Sequence, residues 1–161
     1  RVVNAFLCGL FHDLPEVLTR DIISPVKRSV AGLDELIKKI EERQVTEKIL
    51  PLLPYGWHQD ILYFTQNEFA DKVIVDGKEV ECTFEELNGK YNCNGFKAVD
   101  GKMLKGCDNL AAFVEAWLSR RYGITSKHLE DAEQGLREQY KDRIVGGIDF
   151  GSIYAAFPEN K

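Results

Sequence analysis

Arg1-Val2-Val3-Asn4-Ala5-Phe6-Leu7-Cys8-Gly9-Leu10-Phe11-His12-Asp13-Leu14-Pro15-Glu16-Val17-Leu18-Thr19-Arg20-Asp21 is the stretch that decides how the rest of the chain is read. Residues 2–11 have the length of a helix, and their apolar side chains do not keep to one stripe. A helix of that kind is expected to be buried on most faces, in the middle of a bundle. Its end carries His12 and Asp13, a costly position for two polar groups unless something compensates them. A divalent metal is one compensation, because neutral imidazole and carboxylate are both good ligands for it. A capped helix end with a structural salt bridge is the other. Glu16 and Asp21 follow closely, so residues 12–21 hold four groups able to bind metal or handle protons.

The 161 residues fit one domain with a sizeable core. A hydrophobic content of 44% with 29% charged residues indicates an ordinary globular chain rather than a disordered one. Net charge is −5 without a dense basic stripe, which argues against long nucleic acid as a partner. A mononucleotide needs only a local positive site and stays admissible. No apolar run reaches the roughly 18 residues of a membrane span, so no membrane association is expected. Cys8, Cys82, Cys93 and Cys107 contain no C-x-x-C pair. They read as reduced thiols, with Cys8 and Cys107 in buried helices, and the expected compartment is the cytoplasm. The chain begins at Arg1 inside an apparent helix. It is expected to lack its natural N-terminus, and no signal peptide is seen.

Further along, Pro15 suits the first turn of a short helix over residues 16–21, and Ser24-Pro25 marks a loop. Leu33, Leu36, Ile37, Ile40, Val45 and Ile49 fit a helix over 34–50 with one slip in its period. Another helix is expected over 57–69. Residues 72–75 and 78–82 read as a hairpin on Asp76-Gly77, inside an insertion spanning about 71–99 whose later part looks like loop. Asp100 can cap a helix running to Tyr122 and stopped by Gly123. Its apolar stripe is Met103, Cys107, Leu110, Val114, Trp117 and Leu118, with Asp108 at the margin beside Leu104 and Ala111. Ser126 caps a helix to about residue 144, and a short helix over 149–157 closes the chain.

His12-Asp13, Glu16, Asp21 and Ser24-Pro25-Val26-Lys27 together resemble the HD-domain metal-dependent phosphohydrolases, above all the YfbR-like branch, which contains 5′-deoxynucleotidases. The likeness is densest from Phe6 to Lys27. It returns at Cys107-Asp108-Asn109-Leu110, where the relatives have Ala-Asp-x-Leu and this chain has Cys in the small-residue position. The resemblance implies an all-α fold, a single HD-domain helical bundle over 1–161 with a small β-hairpin insertion. It implies one divalent metal ion (Mn, Co, Fe or Mg) on His12, Asp13 and Asp108. It assigns proton transfer to Glu16 and Asp21, and contact with the substrate phosphate to Lys27. A further metal-binding His on an earlier helix would lie outside this chain, since no His precedes His12.

The remaining polar and aromatic residues have simpler readings. His58 suits a surface or capping role and His128 an exposed one, while Trp57, Tyr63 and Phe64 are core before they are a base-stacking surface. The implied activity is hydrolysis of a nucleoside 5′-monophosphate by a metal-activated water. A phosphodiesterase or a nucleotide polyphosphate hydrolase is the nearest alternative, and a non-catalytic metal-binding interaction module is another. The expected partner is a small phosphorylated substrate, a nucleotide, and pairing of the hairpin would allow a homodimer.

Overall fold

A computed structural model describes residues 1–20 and 30–160. The chain divides into two compact units, Val2–Glu68 and Phe69–Lys161, the latter including Arg1. The described residues are mostly helical, with β-structure confined to a three-stranded and a two-stranded sheet.

In the first unit, α1 (Val2–Phe11) is followed by a turn and by α2 (Glu16–Thr19). Then come α3 (Leu33–Gln44), a π-helical turn over Val45–Ile49, and α4 (His58–Thr65). The wide turn begins where the slip in period ends. It follows the step from Ile40 to Val45, and Val45 is 1% exposed. Val45, Leu50 and Ile61 form the core here, packed by Phe11, Leu14, Ile49, Leu53 and Leu62. α1 meets α4 through Cys8, whose thiol donates to the carbonyls of Phe64 at 3.5 Å and Glu68 at 3.6 Å. The expectation of a helix buried on most faces is corrected. Cys8 is the buried residue of α1, while Val2, Val3, Phe6 and Leu10 are 84%, 67%, 67% and 60% exposed. The helix packs through one narrow face, and its unpatterned apolar residues cover the remainder. α4 stops at Thr65, short of Phe69, because Gln66 turns to extended backbone.

The second unit begins with the expected hairpin, β1 (Asp71–Val75) and β2 (Lys78–Glu81), antiparallel with Val73 opposite Val80. Asp76 and Gly77 have φ of 50° and 75°, the doubly positive pair that a two-residue hairpin turn demands. Part of the expected loop after it is a helix, α5 (Phe84–Gly89). Thr83 and Glu86 form its capping box, a pattern visible in Thr83-Phe84-Glu85-Glu86. β3 (Val99–Asp100) pairs with β1 on the side opposite β2. Val73, Leu87, Tyr91 and Ala98 make a small core under this sheet.

α6 (Gly101–Arg121) and α7 (Lys127–Tyr140) follow. Asp100 occupies the N-cap position of α6, but its side chain makes no capping bond. Arg1 Nε holds its carboxylate at 2.6 Å, and Asp71 Oδ1 instead accepts the Lys102 N–H at 3.0 Å. Gly123, at φ 86°, and Ser126, accepting the Leu129 N–H at 3.2 Å, act as expected. α7 ends at Tyr140, before residue 144, because β4 (Ile144–Val145) and β5 (Ile148–Asp149) form a second tight hairpin on Gly146-Gly147. α8 (Phe150–Ala155) is capped by Asp149. Phe113, Tyr140, Phe150 and Tyr154 form the larger core. Of the predicted stripe on α6, Met103, Leu110, Val114 and Trp117 pack against this core. Gly106, Phe113 and Ala116 are buried, whereas Cys107 and Leu118 are exposed. Residues 157–160 lie against α6 and α7. Phe157 packs edge-on to Phe113 and Trp117, and Trp117 Nε1 donates to the Pro158 carbonyl at 2.7 Å. Asn160 donates to the Glu133 carboxylate at 3.0 Å, as does Arg120 at 2.6 Å.

Candidate metal centre

His12 continues the backbone pattern of α1, its N–H donating to the Cys8 carbonyl at 2.8 Å. The same turn folds the ring back, with Nδ1 2.8 Å from the Gly9 carbonyl. A carbonyl can only accept, so Nδ1 carries the proton, and in the neutral ring Nε2 carries the lone pair. Asp13 Oδ1 lies 3.2 Å from Nε2. Two lone-pair atoms at that separation call for a positive centre, either a second ring proton or a metal ion. A histidine whose other nitrogen is bonded to a backbone carbonyl is the usual arrangement of a metal ligand. The side chains also suit a site open on one side, His12 being 17% and Asp13 71% exposed.

Glu16 starts α2 close by, its N–H donating to the Asp13 carbonyl at 3.0 Å. Four residues cannot hold a helix by themselves. α2 is fixed from outside by the Thr19 hydroxyl, which donates to Glu41 Oε1 of α3 at 3.0 Å. Asp21 and Lys27 lie outside the described residues. His58 Nε2 is 3.1 Å from the Leu53 carbonyl, closing the turn before α4, and His128 is exposed, both in line with their simpler readings. Tyr63 and Phe64 are buried core, while Trp57 is 59% exposed.

Asp108 belongs to the second unit, on α6, with its side chain 35% exposed. Lys105 Nζ, one turn earlier, is 2.9 Å from Asp108 Oδ2. The same ammonium stands 4.2 Å from the centre of the Phe69 ring. Sequence reasoning passed over Lys105, although a Lys three residues before an Asp on one helix is a readable pair. Tyr154 is buried beneath this part of α6. Its phenol is pushed up by burial, then by Tyr140, Asp108 and Cys107. Among the described residues, no three His, Cys, Asp or Glu side chains converge into a ready-made metal cage.

The described residues thus hold a helix ending in His12 and Asp13, with Nε2 3.2 Å from Asp13 Oδ1, and a later helix carrying Asp108. Residues 1–137 match the HD domain family, and the chain belongs to it. Its fold class is accordingly that of an all-α HD-domain bundle with a small β insertion. The chain is similar to a curated 5′-deoxynucleotidase of Photobacterium profundum, 35% identical over 89 residues, which are 51% of this chain and 45% of that protein. The match thus spans less than half of that relative's length. No solved structure matches the chain significantly. Among the described residues, no helix is long and apolar enough to cross a membrane.

Proposed function

We propose that this chain carries the hydrolytic site of a metal-dependent phosphohydrolase acting on nucleoside 5′-monophosphates. One observation carries the reading. The Gly9 carbonyl fixes the tautomer of His12 and leaves Nε2 beside the Asp13 carboxylate, in a chain of the HD domain family. The likeness to a 5′-deoxynucleotidase supports the substrate class. His12, Asp13 and Asp108 are the proposed ligands of one divalent ion. Mixed imidazole and carboxylate donors suit Mn, Co, Fe or Mg better than a closed structural zinc site. When bound, such an ion supplies a nucleophilic water near neutral pH and offsets charge on a phosphoryl oxygen.

The protein's own groups do the rest. Gly9 keeps the His12 ring turned, so Nε2 is oriented before any ligand arrives. Glu16 and Asp21 share the proton work. One carboxylate takes a proton from the attacking water, and the other returns one to the departing 5′ oxygen. Lys27 contributes a point charge to the phosphate.

The test is phosphate release from a panel of deoxy- and ribonucleoside 5′-monophosphates with Mn, Co and Mg, using the full-length protein. Metal-dependent release that disappears in Asp13→Ala is the expected result. No release with metal still bound moves the activity to diesters or polyphosphates. Absence of both release and binding leaves an interaction module.

A further inference from the structure

α2 faces the wrong way for a helix held by burial. Its apolar residues Val17 and Leu18 are exposed, while its polar residues Glu16 and Thr19 are half-buried. A surface helix ordinarily turns its apolar side chains to the core, so something other than their burial sets the direction in which α2 faces. The residues before it anchor its start. Leu14 packs on the core of Val45, Leu50 and Ile61, and Pro15 is buried. Its end is held by a polar bond, donated by the Thr19 hydroxyl to Glu41 Oε1 at 3.0 Å. Glu41 belongs to α3, whose 12 residues give that bond a firm base.

Glu16 shares the side of α2 that this bond turns toward α3. The Glu16 N–H donates to the Asp13 carbonyl, three residues back, at 3.0 Å, and side chains three residues apart eclipse on a turn of that kind. Glu16 and Thr19 are again three apart, within one helical turn. Asp13, Glu16 and Thr19 therefore follow one another along one side, from the exposed Asp13 to the half-buried Thr19. We propose that Thr19 and Glu41 are positioning residues for hydrolysis: their hydrogen bond fixes the rotation of α2 and so holds the Glu16 carboxylate on the side of Asp13. This rests on the hydrolase reading above and deepens it, giving Glu16 an aim that a four-residue helix cannot supply by itself. Both residues act through Glu16, and no covalent bond is made or broken at either.

The test uses the full-length protein with Mn2+ and the nucleoside 5′-monophosphate that it cleaves fastest, unaltered and as Thr19→Val, Thr19→Ser, Glu41→Ala, Glu41→Gln and Glu16→Gln. Thr19→Val keeps the shape and removes the donor. It should lower kcat by about tenfold to a hundredfold, the scale of a misplaced catalytic group, with KM little changed. Thr19→Ser and Glu41→Gln retain a donor and an acceptor and should keep most of the activity, whereas Glu41→Ala should match Thr19→Val. In a Glu16→Gln background, Thr19→Val should cost nothing more, because the group it aims is gone. A readout without substrate or metal accompanies these: amide hydrogen exchange at Val17, Leu18 and residue 19 should quicken in Thr19→Val. An unchanged kcat beside a lowered melting temperature would overturn the proposal and leave the bond a structural one. An equal loss of kcat with and without Glu16, or unchanged amide exchange, would overturn it too. No release by the unaltered protein would instead overturn the hydrolase reading, and the proposal with it, before any variant is compared.

Discussion

Two glycines inside helices of the second unit are predicted to respond to the same substitution with opposite signs. Gly135 lies within α7, where an added Cβ meets nothing within 4 Å. Gly106 lies within α6, where an added Cβ would stand 2.8 Å and 3.0 Å from two atoms of the Phe150 ring. Replacing an interior helical Gly with Ala gains about 0.8–1 kcal/mol of helix propensity at either site. Only Gly106 carries a steric penalty. Ordinary carbon contacts begin near 3.5 Å, so the Phe150 ring must yield by about 0.7 Å. Phe150 is 2% exposed and belongs to the larger core, where overpacking costs about 1–3 kcal/mol. Gly135→Ala should therefore stabilise by just under 1 kcal/mol, within the usual range of about 0.4–1. Gly106→Ala should be neutral to about 2 kcal/mol destabilising. Propensity cancels in the difference, which isolates the contact. Urea unfolding read from Trp117 in a Trp57→Phe background should separate the two midpoints by roughly one molar. Phe150→Leu, combined with Gly106→Ala, should recover part of the loss as a coupling energy. If Gly106→Ala stabilised as much as Gly135→Ala, the close approach of α6 to Phe150 would be wrong.

Three other outcomes follow from buried groups. Tyr154 is 1% exposed, and its hydroxyl has no hydrogen-bond partner among the described residues. Its phenol is raised above the ordinary value of 10.0, so above that pH the unfolded chain releases a proton that the folded chain keeps. Stability is fully present below pH 10 and falls as pH rises from there toward the folded value; Tyr154→Phe should flatten that fall in thermal scans between pH 9 and 11, taken as a range of about one unit either side. Arg120→Met should lower the melting temperature markedly. It removes the 2.6 Å partner of Glu133, which is 3% exposed, and breaking a buried pair from one side costs up to about 3–5 kcal/mol. Arg137 and Asn160 remain near that carboxylate and should keep the loss toward the lower end, and adding Glu133→Gln should restore part of it. A thiol reagent at neutral pH should label Cys93 and Cys107 first, since both are exposed. Cys82, whose thiol is raised by burial and by Asp71, should follow, and Cys8 should react only on unfolding; early labelling of Cys8 would show that α1 does not rest on α4 as described.

Local signals in the sequence read well where the chemistry is short-range. Asp76-Gly77, Gly123 and Ser126 each specify a backbone geometry by themselves, and each does what its residue type requires. The interrupted period between Ile40 and Val45 is visible in the sequence, and the backbone changes from α- to π-helical at its end. What depends on distant partners was hidden. Asp100 looked like a cap because nothing local shows that Arg1 takes its carboxylate or that Asp71 reaches the α6 N-terminus instead. The stripe expected on α6 holds at Met103, Leu110, Val114 and Trp117 and fails at Cys107 and Leu118, because apolar spacing alone cannot say where the edge of the buried face falls. Phe150 and Tyr154, far along the chain, chose the face of Phe113. At the candidate centre, the pairing of His12 with Asp13 was plain in the sequence. The Gly9 carbonyl that orients the ring is a relation one turn away that emerges only once the helix is built, whereas the Lys105–Asp108 pair was open to reading from its spacing.

The strap formed by residues 157–160 bears on the order in which this protein can be made. Phe157 covers the rings of Phe113 and Trp117, and Asn160 completes the bonding of Glu133. All of these contacts join α6 and α7 to residues synthesised after both. While translation is still short of the strap, α6 and α7 can pair, but two aromatic faces stay wet and Glu133 has Arg120 without Asn160. The second unit therefore acquires its final packing only after residue 160 has left the ribosome, and until then it is the part of the nascent chain most in need of protection from aggregation.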